Sequence, residues 1–310
     1  MRRWLWVAAA LAAVAVVALG AWAAFGRGGG APASGGSPVA ATASPSPAVS
    51  PSATAGAPSP SPSATLLPLP RGVGHFGRAP QHGTVGGPRG RPVPILEYHV
   101  IGAPPATEPY PGLFVSLADF AAQMRWLERN GYTAVTLDQV AAFWRGQGRL
   151  PAKPVVLSFD DGYRSDWVDA APILQRIGWP GVLNLCVNAV GPHRDLPVGL
   201  VHGLVRAGWE VDDHTLTHPD LTTLDAAGLH REIVVSRAVI RRLTDEPVSF
   251  FCYPAGKYDA QVIAVVRAAG FLGATTENAG PATPSAAFTL PRVRVAGGES
   301  LAAFAQALGG

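Results

Sequence analysis

From residue 92 onward, short apolar runs alternate with stretches of helical periodicity, and this alternation confines the folded part of the chain to an α/β architecture. Residues 93–99, 134–136, 154–159, 181–187, 209–212, 248–253, 271–274 and 292–295 read as strands. Helical patterns lie between them. The first has Ser116 as N-cap with Asp119 three residues on, places Leu117, Phe120, Met124 and Leu127 on one face, and stops at Gly131. Another covers 225–243, with Leu229, Ile233, Val234, Ala238 and Ile240 inward and Arg241 and Arg242 at the negative end of its dipole. A third, over 259–269, ends at Gly270. This number of β/α units fits a small or incomplete barrel better than an open sheet.

The remainder of the chain has a different character. Residues 4–25 form an unbroken apolar run behind Arg2 and Arg3. At about 1.5 Å per residue such a run crosses a bilayer core of roughly 30 Å. It is long for a signal peptide, although Ala21-Trp22-Ala23 resembles a cleavage site, so both an uncleaved anchor and a cleaved signal are open. The paired arginines favour a cytoplasmic N-terminus, which puts the rest of the chain outside. Residues 28–70 contain no charged side chain and are dominated by Pro, Ser, Ala, Thr and Gly. With no apolar face to bury, such a stretch does not offset its ordering entropy and suits a stalk. His75 and His82 fall in its Gly-rich continuation and read as linker residues. The expected divisions are 1–26 (anchor or signal), 27–91 (linker) and 92–310 (folded domain).

Two compositional facts remove other classes. The net charge is only +3 and no Lys/Arg block occurs, so a nucleic-acid partner is not expected. The two cysteines, Cys186 and Cys252, exclude a Cys-based zinc cluster and a disulfide-rich scaffold, and read as buried small apolar residues.

Chemistry concentrates where predicted strands end in polar residues, the end at which β/α barrels carry their sites. These segments contain Glu97-Tyr98-His99, Asp160-Asp161-Gly162, Asp212-Asp213-His214 with His218, and Cys252-Tyr253-Pro254-Ala255-Gly256. Adjacent carboxylates repel unless a cation or proton intervenes. His214 and His218 are four apart, and one helical turn would place both on one face. Two carboxylates and two histidines at neighbouring strand ends together point to a metal.

Ser158-Phe159-Asp160-Asp161-Gly162 resembles the first motif of the polysaccharide deacetylases (carbohydrate esterase family four). His214-Thr215-Leu216-Thr217-His218-Pro219 resembles the second, and Phe251-Cys252-Tyr253-Pro254-Ala255-Gly256 the third. The layout is similar to that of the biofilm poly-N-acetylglucosamine deacetylases. The resemblance implies a deformed (β/α) barrel of about seven strands. It also implies one divalent metal, with zinc as the first expectation, held by Asp161, His214 and His218, and Asp160 as general base. Three protein ligands leave one position open for water. The third motif implies the Ala255 N–H as an oxyanion donor.

Two family features are missing. No histidine follows His230, so the acid that protonates the departing amine is assigned to His99, from the upstream Tyr-His segment. The third-motif Arg is replaced by Cys252, for which Arg292 or Arg294 is the available substitute; the Asp-Trp pair that orients the acid has no evident replacement. Asp212 and Asp213 remain alternative carboxylates for the metal, and His193, His202 and His230 read as surface or helix residues. The expected function is extracytoplasmic N-deacetylation of an amino-sugar polymer, peptidoglycan or poly-N-acetylglucosamine, with the membrane contacted only through the N-terminal segment. An O-acetyl esterase acting on xylan or another glycan, and a non-catalytic glycan-binding module, are the rival readings.

Overall fold

A computed structural model describes residues 84–85, 87–191 and 195–309. The predicted anchor and most of the predicted linker, with His75, His82 and His193, lie outside the described residues. No helix among the described residues is long and apolar enough to cross a membrane.

Seven parallel strands close on themselves: β1 Ile95–Tyr98, β2 Lys153–Asp161, β3 Val182–Leu185, β4 Glu210–Asp213, β5 Phe250–Cys252, β6 Gly273–Ala279 and β7 Leu290–Arg294. Around the barrel the order is β1-β7-β6-β5-β4-β3-β2, and β2 pairs back onto β1. Glu97 lies opposite both Ser158 and Arg294, and Asp160 opposite Asn184. The expected strand 134–136 is shifted to Tyr132–Ala134 and hangs on the outside of β2, which is why eight candidates yield a seven-stranded barrel. Thr84–Val85 pairs with Leu150–Pro151, so ordered pairing begins within the stretch expected to be linker.

Strand alternation explains where the site must be. Successive residues face opposite sides, so each strand sends one set of side chains inward. Toward the strand starts that inner set is apolar: Ile95, Val156, Val182, Phe250 and Leu290 pack in one cluster. One step further along, the same alternation places Glu97, Ser158, Asn184, Cys252 and Arg292, all buried, and with them Asp160. The barrel is therefore plugged with hydrocarbon at one end and lined with ionisable groups at the other.

The outer residues of the strands bury against helices. Helix α1, Leu117–Arg129, is capped by Ser116, whose hydroxyl accepts from the Asp119 N–H; such a cap contributes about 1 kcal/mol. It buries Phe120, Met124 and Leu127, whereas Leu117, expected on the same face, is 46% exposed. Phe120, Tyr98 and Phe159 form a three-ring cluster with centroids 5.3–6.0 Å apart, and the Tyr98 hydroxyl donates to Gln123 Oε1 at 3.0 Å. Tyr98 precedes His99 and Phe159 precedes Asp160, so this cluster anchors two site residues through their neighbours.

The helix expected over 225–243 is composite. Ala226–Leu229 is α-helical, His230–Val235 is a π-helical segment, and α2 follows at Ser236–Thr244. The wider turn lets Glu232 and Ile233, adjacent in sequence, both face inward. Past that turn the buried positions are Ser236, Ile240 and Thr244, and Ala238 faces solvent rather than the core. Helix α3, Ala260–Ala268, begins at the Asp259 cap as expected.

Candidate active site

The cleft at the carboxyl ends of the strands has a volume of about 550 Å³ and is lined by His99, Asp160, Asp161, His214, His218 and Ala255, among others. All six residues singled out from the sequence are thus brought to one place. For Asp160 this is simple strand alternation. Asp161 is not: as the next residue it would point outward, but its φ of 74° turns it back toward the cleft. Gly162, at φ 95°, completes the turn, and a Cβ there would come within 2.8 Å of the Leu185 side chain. Positive φ recurs at Thr215 (69°), His218 (59°) and Ala255 (49°), so among the described residues four of the five non-glycine residues in this strained region belong to the site. Strain of this kind persists only where surrounding contacts over-determine the backbone.

Those contacts are visible around the histidine segment, which is an open loop rather than the helical turn the spacing suggested. Asp213 Oδ1 accepts from the Thr215 N–H at 2.9 Å and from the Ser236 hydroxyl at 2.6 Å. Thr215 Oγ1 accepts from the His218 N–H at 2.9 Å. Glu232, 1% exposed, accepts from the N–H groups of Leu216 and Thr217 and from the Thr217 hydroxyl. A helix was not needed, because two buried carboxylates hold the loop by its donors. Burial pushes Asp213 up to about 8, against the pull of these donors. Asp212 faces elsewhere and caps the N–H groups of Ser249 and Phe250. Neither of these aspartates faces the site as a ligand.

Asp161, His214 and His218 form a group of potential metal ligands. His214 Nδ1 is 2.8 Å from the carbonyl oxygen of Cys252. A carbonyl only accepts, so this contact places a proton on Nδ1 and makes Nε2 the nitrogen that can ligate. That Nε2 lies 3.4 Å from Asp161 Oδ1, and His218 Nε2 lies 3.5 Å from the same oxygen. Burial works to lower the His214 pKa, but Cys252 and the Asp161 and Asp160 carboxylates hold it well above the usual imidazole range, so the gap between Nε2 and this oxygen takes a proton or a cation. Two ligands on tetrahedral positions about 2.0–2.1 Å from an ion stand roughly 3.3–3.4 Å apart, which matches these separations. The donor set and its spacing fit a first-row divalent ion.

Two further groups, Glu97 with His99 and Asp160, and Asp160 with His214 and Cys252, also lie within ligating range. In the first the cation is already supplied by the protein. Arg292, 2% exposed, donates from both terminal nitrogens to the two oxygens of Asp160 at 2.8 Å, and one of them stands 3.2 Å from Glu97 Oε2. In the second the Cys252 thiol donates to Asp160 Oδ2 at 3.6 Å.

Asp160 is therefore a tightly held carboxylate. Asn184 Nδ2 donates to its Oδ1 at 2.7 Å as well. Burial works to raise its pKa, but the Arg292 guanidinium overrides this and holds it well below the usual carboxylate range. Glu97 has lost more solvent than Arg292 and Arg294 replace, and is pushed up to about 7 by burial. His99, its side chain 12% exposed, places Nε2 4.0 Å from Asp160 Oδ2. Burial lowers the His99 pKa, with Asp160 and Asp161 opposing. The arginine at this carboxylate thus comes from the last strand, and the third-motif position carries a buried thiol. Cys186 and Cys252 are both free and buried.

The polysaccharide deacetylase family model matches residues 147–274, the span that carries all three motifs. A Bacillus subtilis (strain 168) protein named as a polysaccharide deacetylase, YxkH, is 27% identical over 213 residues, 68% of this chain and 74% of its own. Residues 147–274 are thus similar in sequence to the polysaccharide deacetylases. A crystal structure of a Bacillus anthracis protein described as a polysaccharide deacetylase superposes on the barrel domain with a TM-score of 0.64 and 27% identity, covering 70% of this chain and 69% of the other. The Escherichia coli (strain K12) poly-β-1,6-N-acetyl-D-glucosamine N-deacetylase is 48% identical over 60 residues, 19% of this chain and 9% of that protein.

Several residues that complete this cleft carried little or no signal in the sequence. Asn184 was detectable in principle, as a polar residue at an inward position of an otherwise apolar strand. Arg292 could be named only as one of two candidates. Glu232 sits mid-helix, where nothing in the sequence distinguishes it from a solvated glutamate. Of the other histidines, His202 has Nε2 2.8 Å from the Leu243 carbonyl and His230 is exposed.

Proposed function

We propose that this chain is a metal-dependent hydrolase that removes N-acetyl groups from an extracytoplasmic amino-sugar polysaccharide of the cell-wall or poly-N-acetylglucosamine type. The observation that carries the reading is the ligand trio Asp161, His214 and His218, set directly beside a carboxylate that Arg292 keeps ionised. A divalent ion in that trio, with zinc as the first candidate, supplies Lewis acidity that polarises an acetyl carbonyl and acidifies water. Asp160 receives the proton of the attacking water. Its low basicity means the proton does not stay: it passes to His99, 4.0 Å away, which then donates it to the departing amine. The Ala255 N–H, on its left-handed turn at the cleft wall, is the proposed donor to the developing oxyanion. The relation to a poly-N-acetylglucosamine N-deacetylase supports the amide as the bond cleaved. The apolar run over 4–25 supports an exported domain tethered to, or released from, the membrane.

The test is acetate release from chitooligosaccharides, cell-wall glycan, poly-N-acetylglucosamine and acetylxylan, after chelation and after restoring zinc or cobalt. Loss on chelation and recovery with metal on an N-acetylated polymer is the expected result. Activity that survives chelation, or no turnover on any glycan, defeats it. Turnover confined to acetylxylan identifies the esterase instead. His99→Ala separates the two bonds further: an amine must be protonated to leave, so N-deacetylation is expected to fall by about 10²–10⁴-fold, whereas ester hydrolysis is retained within about tenfold.

A further inference from the structure

The geometry points to Tyr110 as the platform on which a hexose ring of the substrate stacks, and hence as a specificity-determining residue of the cleft. The inference rests on the proposed glycan substrate and goes beyond it, because no residue discussed so far recognises the sugar itself.

Tyr110 lines the same cleft as His99, Asp160 and the ligand trio. At 68% it is the most exposed large hydrophobic side chain among the described residues. Among the described residues only its backbone is engaged: its N–H donates to Glu108 Oε1 at 3.0 Å, and its carbonyl accepts from the Leu113 N–H at 3.0 Å. No ring or cation among the described residues packs on its aromatic face. An exposed aromatic on its own is ordinary. What distinguishes this one is that the backbone presenting it is clamped. The loop leaves from Val100–Ile101 and returns at Phe114–Val115, and these two segments pair in parallel. At its base the Gly102 N–H donates to the Val115 carbonyl at 2.8 Å. From the segment after the last barrel strand, the Gly297 N–H donates to the Gly112 carbonyl at 2.9 Å. The approach at Gly297 is so close that a Cβ there would lie 2.2 Å from the Phe114 carbonyl oxygen.

A sugar ring has one face of C–H groups, which binds an aromatic face while its hydroxyls stay hydrated. A tyrosine has only two side-chain torsions to immobilise, so it offers that area at low entropic cost. The rest of the lining near Tyr110 is charged or small, with Gly112, Ala255 and Ala296 leaving space and Glu277 paired to Arg294 at 3.1 Å. Only Tyr110, with Leu113 beside it, offers a flat apolar wall for a hexose.

The test compares wild type, Tyr110→Ala and Tyr110→Phe as full chains with zinc restored. Their substrates are a chitooligosaccharide, a β-1,6-linked N-acetylglucosamine oligomer and p-nitrophenyl acetate, which carries no sugar. For at least one of the two oligomers, KM is expected to rise about tenfold in Tyr110→Ala with kcat within about twofold, and Tyr110→Phe is expected to match wild type. All three proteins are expected to hydrolyse p-nitrophenyl acetate equally. An unchanged KM in Tyr110→Ala, a loss that Phe does not rescue, or an equal loss on p-nitrophenyl acetate overturns the proposal; the last marks a purely structural role. Calorimetric titration of the same oligomers, which needs no turnover, separates this from failure of the enzymatic reading. Wild type that binds an oligomer without releasing acetate, with Tyr110→Ala binding about tenfold more weakly, sustains the platform and rejects the enzyme. Binding by neither protein rejects the platform.

Discussion

Asp160→Asn is expected to lower kcat/KM for acetate release by about 10²–10⁴-fold while leaving the metal content unchanged. The substitution keeps the size of the side chain and removes its ability to take a proton. Asp160 lies beside the ligand trio and not in it, so the ion should remain with Asp161, His214 and His218. Arg292 keeps one anionic partner, Glu97, at 3.2 Å, and Asn184 still finds an amide oxygen in reach. One new conflict arises, because an amide NH₂ in place of Oδ2 faces the guanidinium that now donates to that oxygen. Some loss of melting temperature should therefore accompany the loss of turnover. Acetate assay, elemental analysis and a melting curve on the same preparation check the three statements together. Turnover within tenfold of wild type would remove Asp160 from the role of base, and an equal loss of metal would place it among the ligands.

Arg292→Met should be the most destabilising single change in the domain. It removes the buried cation from two buried carboxylates, Asp160 at 2% and Glu97 at 0% exposure, leaving Asp160 only neutral donors such as Asn184 and Glu97 only the half-exposed Arg294. Breaking a buried pair from one side costs about 3–5 kcal/mol. For a domain of this size that corresponds to a fall in melting temperature on the order of 10 °C. Its pH dependence carries a sign. In the wild type, Asp160 has a depressed pKa and contributes stability above the ordinary carboxylate range, lost as pH falls through its folded value. Glu97, raised to about 7, works the other way and costs stability as pH rises through that value. Without Arg292 both groups are of the second kind, so the variant's deficit should widen as pH rises from about 4 and narrow in acid. Arg294→Met is the control. Arg294 contacts Glu97 at 3.2 Å and Glu277 at 3.1 Å but is 42% exposed, where such pairs contribute about 1 kcal/mol or less. Urea unfolding of the two variants across pH makes the comparison, and similar deficits would show that burial at Arg292 is not what counts.

The chain's local chemistry was legible where a residue type is scarce or a period is strict. The Ser116 and Asp259 caps, the glycine stops at Gly131 and Gly270, and the seven barrel strands follow from capping chemistry and apolar runs that a single pass along the sequence detects. The paired aspartates and the two histidines stood out for the same reason. Where the reading erred, a non-local contact had outweighed the local pattern. The spacing of His214 and His218 suggested a helical turn, but Glu232 and Asp213 satisfy the backbone donors of an open loop. Ala238 fits a straight helical face, but the π-helical segment ahead of it shifts that face onto Ser236 and Ile240.

What the amino-acid order determined by itself was the alternation of strand and helix and the identity of the groups at each strand end. Both rest on propensities and periods that act within a few residues. Closure of the barrel decided the rest: which arginine faces Asp160 across 132 positions of chain, which His214 nitrogen faces Asp161, and that Tyr110 lines the same cleft as Asp160. Such pairings depend on distance in space, and sequence separation carries no record of it until the strands have found their neighbours.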